Sequence, residues 1–236
     1  MMKLKALLPV LLLTACANMP VPVSVSSDED AAETPVEAPK KSDALLDKVQ
    51  ELVAKTQEAA ISSLPAEITA NKSTYKTVEA VADREKNQKG AGFTRVYGDD
   101  TGDVVITVFL YSNREYGMTA EVSPATEALM DKHLQEFSAL QDSGLYDSVN
   151  VGEKNVRDLR WSGRKFQVLE VPVAFNQHDD AKKSYVVLGA NPDLLSYVRI
   201  RFTYPQGRRD VERNKNIVTA RILNALAVFA KEQNAR

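Results

Sequence analysis

Tyr197, Arg199 and Arg201 recur two residues apart in the stretch SYVRIRFTY. In a strand that spacing sends all three side chains to one face. Neighbouring guanidinium groups present planar forks of donors that suit a carboxylate or phosphate on a protein, glycan or lipid. Tyr185 is expected to join them from a nearby strand, and the basic run GRRDVERNK follows at the strand end. Tyr197, Arg199, Arg201 and Tyr185 therefore form the candidate binding surface. Trp161 either extends that surface or packs in the core. The alternative is a solvated sheet face on which arginine stems cover aromatic rings.

Other residue types that do chemistry are sparse. The chain has two histidines. His133 lies within a helical pattern beside an apolar arc, which favours a packed interfacial histidine over a ligand or base. His178, in NQHDD, sits beside Asp179 and Asp180. Imidazole with carboxylates can hold zinc, but a closed site needs more ligands in defined geometry, and a solvated turn accounts for the residues. The acidic turn GDDTGD lacks the spacing of a helix–loop–helix calcium site. GAG, Gly90 to Gly92, lacks the rest of a phosphate loop and reads as a tight entry to Phe93. No G-x-S-x-G, H-E-x-x-H or G-x-x-x-x-G-K-[ST] pattern occurs. No catalytic residue, metal site or cofactor is expected.

The single cysteine, Cys16, follows a basic start (Lys3, Lys5) and the apolar run LLPVLLL. That run is far shorter than the roughly 20 residues of a membrane-spanning helix and has the layout of a secretory signal. Leu13, Thr14, Ala15 and Cys16, read LTAC, resemble the processing box of bacterial lipoproteins. The resemblance covers the first sixteen residues. It implies cleavage before Cys16, a diacylglyceryl group on its thiol and acylation of the new amine. Several acyl chains give stable anchoring where one does not. Ala17 in place of Asp implies, by the same resemblance, delivery to the outer membrane, with the domain facing the periplasm. Residues 1–15 are then a signal peptide. An acylated Cys16 would leave the mature chain without a free thiol.

Residues 16–41 are rich in proline, serine, alanine and acid, and lack aromatics. Such a composition cannot repay its ordering entropy, so these residues are expected to form a tether. At roughly 3.3 Å per residue it reaches at most about 80 Å. Loss of Lys3 and Lys5 would take the formal charge from −2 to −4. That balance provides no global electrostatic footprint for nucleic acid.

Residues 42–236 are expected to form one domain. SDALLDKVQELVAKTQEA is an amphipathic helix capped by Ser42, with Leu45, Val49, Leu52 and Thr56 on its packed side, widened by Leu46, Val53 and Ala60. Residues 61–90 fit either a helix or strands. GFTRVYGDDTGDVVITVFLY is a hairpin whose second strand is central. A helix follows from Ser123 and Pro124 to Gly144. Strands then run through VRDLRW, KFQVLEVPVAF, AKKSYVVLGA and SYVRIRFTY. A last helix in DVERNKNIVTARILNALAVFAKEQ buries Val218, Ile222, Ala225, Leu226 and Phe229. The fold class is α+β, a largely antiparallel sheet of five to seven strands packed against helices. In element order alone it is similar to small α+β domains of the photosystem PsbP type.

These readings together describe a membrane-anchored cell-envelope lipoprotein with a binding or scaffold role. Its partners are the membrane, through the N-terminal lipid, and an acidic envelope protein, glycan or lipid. A carrier of a lipid or small apolar ligand is the alternative, and a tethered hydrolase the third reading.

Overall fold

The computed structural model describes residues 41–235; the signal peptide, Cys16 and nearly all of the expected tether lie outside them. Helix α1 spans Lys41–Ser62, starting one residue before Ser42. Strands β1 (Glu67–Ala70), β2 (Ser73–Thr77) and β3 (Ala82–Asp83) fill the stretch that fitted either type, so it is strand and loop. The expected hairpin is β4 (Phe93–Gly98) and β5 (Val105–Tyr111). Helix α2 spans Pro124–Asp142. Then come β6 (Ser148–Val151), β7 (Asn155–Trp161), β8 (Arg164–Gln177), β9 (Asp180–Asn191), β10 (Ser196–Pro205) and α3 (Arg209–Asn234).

All ten strands belong to one sheet, in the order β1-β2-β4-β5-β10-β9-β8-β6, with β3 on β4 and β7 on β8. Every pairing is antiparallel. The α+β class is as the sequence implies. The strand count is higher because β1, β2, β3 and β6 are short and leave little periodicity to read. Strand β5 lies between β4 and β10, at the centre. The sheet has a core on each face. On one, Ile106, Val108, Leu110, Ile200 and Phe202 meet Ile61 of α1 and Val218, Ile222 and Leu226 of α3. On the other, Leu169, Val171, Leu188 and Tyr197 meet Leu129, Met130, Leu134 and Phe137 of α2.

Turn chemistry fixes the registers. In the β4–β5 turn the Asp99 carboxylate accepts from Thr101 Oγ1 and, at 3.2 Å, from the Val104 amide. Ser162–Gly163 and His178–Asp179 all have positive φ (49°, 77°, 50° and 66°), the conformation that two-residue hairpins require. The α2 start is a reciprocal Ser123–Thr126 cap with Pro124 next, and its end is followed by Gly144 at φ 74°.

Helix α1 packs with a different face from the one its leucines suggest. Gln50, Val53, Gln57 and Ala60 are buried, while Leu45 and Leu52 are 63% and 66% exposed. Both buried glutamines are hydrogen-bonded, Gln50 through both amide atoms and Gln57 through its nitrogen alone, its Oε1 having no partner among the described residues. Gln57 Nε2 donates to Ser196 Oγ at 2.9 Å. Gln50 Oε1 accepts from Ser112 Oγ and Tyr116 OH. A hydrogen-bonded amide can occupy a core position that propensity assigns to an aliphatic residue.

Candidate functional site

The β10 alternation holds, but helix α2 covers the face carrying Arg199 and Arg201. Arg199 stands between Phe109 of β5 and Leu188 of β9. Its guanidinium carbon lies 4.0 Å from the Phe109 ring centroid, and Nη1 donates to Glu136 Oε1 at 2.7 Å. The Arg201 guanidinium lies over Phe137 at 4.3 Å and donates to Tyr146 OH at 3.0 Å. Tyr197 is buried and donates to Glu115 Oε2 at 2.9 Å. Tyr185 is on the opposite face, because the β9–β10 register pairs it with Phe202. There it stacks with Tyr204, and the Lys215 ammonium sits 4.4 Å above its ring. The four residues expected to share one open surface are thus divided between two packed faces. The alternation that groups arginines along a strand does not say which helix lies over them.

The covered arginines belong to a polar centre between α2 and the sheet. His133 Nε2 is 2.6 Å from Tyr111 OH, and Nδ1 is 2.9 Å from Glu136 Oε1. Arg199 Nη1 also approaches His133 Nδ1, at 2.6 Å. Burial pushes the His133 pKa down; the Glu136 hydrogen bond opposes that shift, and the Arg199 charge adds to it. Burial alone would raise the Glu136 carboxyl, but His133 and Arg199 override it and hold it at about 2. Burial raises the Tyr111 hydroxyl. A neutral histidine with both ring nitrogens engaged inside the chain fixes α2 on the sheet, the packed role its sequence context suggests.

The remaining sequence candidates have local roles. Asp99 is engaged by its own turn and by Arg208 Nη2 at 3.1 Å. Arg208 also forks onto Asp210 at the start of α3, so part of the basic run is internally paired. His178 occupies an exposed hairpin turn. Trp161 is partly buried, with the Arg221 guanidinium 4.9 Å from its ring. Gly92 has φ 64°, and a Cβ there would meet Leu110 O at 2.0 Å, so this glycine makes the tight entry to Phe93.

An open cavity of about 360 Å³ lies between α1 and the loop from Asp83 to Phe93. Ala54 and Phe93 contribute apolar lining, and Lys55, Glu58, Lys86 and Lys89 contribute charge of both signs. Glu85 pre-sets the loop wall: its carboxylate accepts from the Gly90 amide (2.7 Å), the Gly92 amide (2.8 Å) and Gln50 Nε2 (2.6 Å). Ion pairs from Lys89 and Arg114 to Asp47 tie the same region to α1. Sequence reasoning missed this cavity. Two glutamines seven residues apart in α1 fit an exposed polar face equally well, so no signal in the sequence singled it out.

No family model matches the chain, and no curated protein matches it. Among solved structures it is similar to the Saccharomyces cerevisiae Ran-binding protein Mog1p. Identity is 12%, over 66% of this chain and 87% of that one, with a TM-score of 0.32. A point mutant of protein Mog1 matches at 13% identity over 70% and 90% of the two chains, again with a TM-score of 0.32. Likeness this distant assigns no function.

Proposed function

We propose that this chain is a lipid-anchored cell-envelope protein that works by binding, tethered to the outer membrane through Cys16 with its domain facing the periplasm. The LTAC sequence supports the anchor. The observation that carries the binding role is the preformed cavity beside α1, with its Glu85-locked wall. A rigid wall lowers the ordering cost of association. The apolar lining suits one apolar anchor group of an envelope protein, and the mixed charges around it suit flanking polar contacts. The volume is also at the low end of the roughly 300–1,000 Å³ of small-ligand sites, which favours a carrier of a small apolar ligand as the second reading.

The test is to fill the cavity. Ala54 is half-buried and lines it. Ala54→Phe is expected to keep the circular dichroism spectrum and abolish crosslinking of the anchored protein to its envelope partner. Native mass spectrometry separates the two readings, because a carrier shows a co-purified small ligand that Ala54→Phe lacks. Unchanged crosslinking and no ligand in either form refute the cavity as the binding site.

A further inference from the structure

The exposed side of α1 is built on a regular stripe. Leu45, Lys48, Leu52, Lys55 and Ala59 recur at alternating steps of three and four, and all five are exposed. That spacing keeps them in one line along a helix. The buried line, Gln50, Val53, Gln57 and Ala60, has the same spacing. The helix thus places amides inside, where each needs a matched partner, and leucines outside. Burying the leucines would remove more apolar area from water than burying the glutamines does. Core packing therefore does not account for the outward leucines.

We propose that this stripe lies against the membrane leaflet that anchors the chain. The inference rests on the lipoprotein reading. Two observations favour lipid as the occupant. First, α1 is the first described element, and only residues 17–40 separate it from Cys16. A short tether holds the helix at high effective concentration near the surface, so a modest apolar stripe suffices. Second, the alternation of leucine and lysine suits an interface. Leucines enter the boundary between headgroups and acyl chains, while lysines reach back to anionic headgroups. Thr56, beside the stripe, bonds Leu52 O through Oγ1 at 3.1 Å, leaving that flank without a free hydroxyl donor. On the other flank Glu51 and Glu58 line the cavity, and Lys55 of the stripe borders it as well.

The experiment uses the full chain purified from its membrane. Cys16 is the only cysteine, so acylation would leave an introduced Ala59→Cys as the sole free thiol for an environment-sensitive dye. The protein is reconstituted in vesicles of phosphatidylethanolamine and phosphatidylglycerol carrying nitroxide-labelled lipid. The dye at position 59 is expected to shift to the blue and to be quenched several-fold more than the same dye at Asp179→Cys, in the β8–β9 turn. Adding Leu45→Asp and Leu52→Asp should return quenching to the Asp179 level with an unchanged circular dichroism spectrum. If position 59 is no more quenched than 179 in the acylated protein, the proposal fails. A blue shift without lipid quenching also overturns it, because a protein then covers the stripe. Mass spectrometry of the N-terminus separately tests the lipoprotein reading. Should Cys16 be unmodified, no leaflet anchors the chain and the proposal falls with the lipoprotein reading; an acylated Cys16 with an unquenched dye overturns the stripe alone.

Discussion

Lys215 of α3 and Glu170 of β8 form an ion pair between helix and sheet, with side chains 8% and 5% exposed. The ammonium also donates to Asn216 Oδ1 at 3.1 Å and lies over the Tyr185 ring. Arg157 Nε is 3.8 Å from the other Glu170 oxygen, from a half-exposed position. Truncating one member of such a pair leaves a buried charge and costs about 3–5 kcal/mol, whereas replacing both with apolar groups of similar volume is neutral or stabilising by about 1–4 kcal/mol. Lys215→Met leaves Glu170 with only the more distant Arg157, so its expected cost is near the lower limit, about 3 kcal/mol. Lys215→Met combined with Glu170→Met should recover that loss, because two methionines fill the space without a stranded charge. Urea unfolding of the wild type, both single variants and the double variant measures the cycle, provided the slope with denaturant stays constant. A cost below about 1 kcal/mol for Lys215→Met, or strictly additive single effects, would refute the view that desolvation dominates at this pair.

Three further outcomes are expected. His133 and Glu136 both have folded pKa values below their ordinary ones, so each contributes stability at neutral pH that is lost on acidification. The His133 loss begins as pH falls through about 6.5, and the Glu136 loss follows between 4.5 and about 2. Thermal melts of His133→Gln across pH 7 to 5 should show a flatter slope than the wild type, and an identical slope contradicts the assignment. Arg199→Glu sets a second carboxylate against Glu136 and removes the guanidinium from Phe109; a loss of about 3 kcal/mol or more is expected in urea unfolding, and an unchanged midpoint would mean that α2 does not cover this face. Gly92→Ala forces a Cβ against the Leu110 carbonyl at positive φ, which should cost well over 1 kcal/mol and lower the melting temperature by several degrees.

The sequence by itself determined the elements whose cause is local. The GDDTGD turn is local because Asp99 bonds its own turn. The start of α2 is local because Ser123 and Thr126 cap each other. The alternation of β10 follows from the pleat, which needs no partner to send Arg199 and Arg201 the same way. Only the tertiary structure decided what each face meets. Docking of α2 turned an arginine pair that read as an open surface into an internal centre with His133 and Glu136. The β9–β10 register, set by pairing across the sheet, sent Tyr185 to the opposite core. In α1 the choice between the glutamine line and the leucine line was open to local pattern. It was settled by partners distant in sequence, Glu85, Ser112 and Ser196, which bond both atoms of the Gln50 amide and the nitrogen of Gln57. A hydrogen-bond partner over a hundred residues away leaves no trace in helical periodicity, and so neither the buried stripe of α1 nor the cavity beside it could be read from the chain alone.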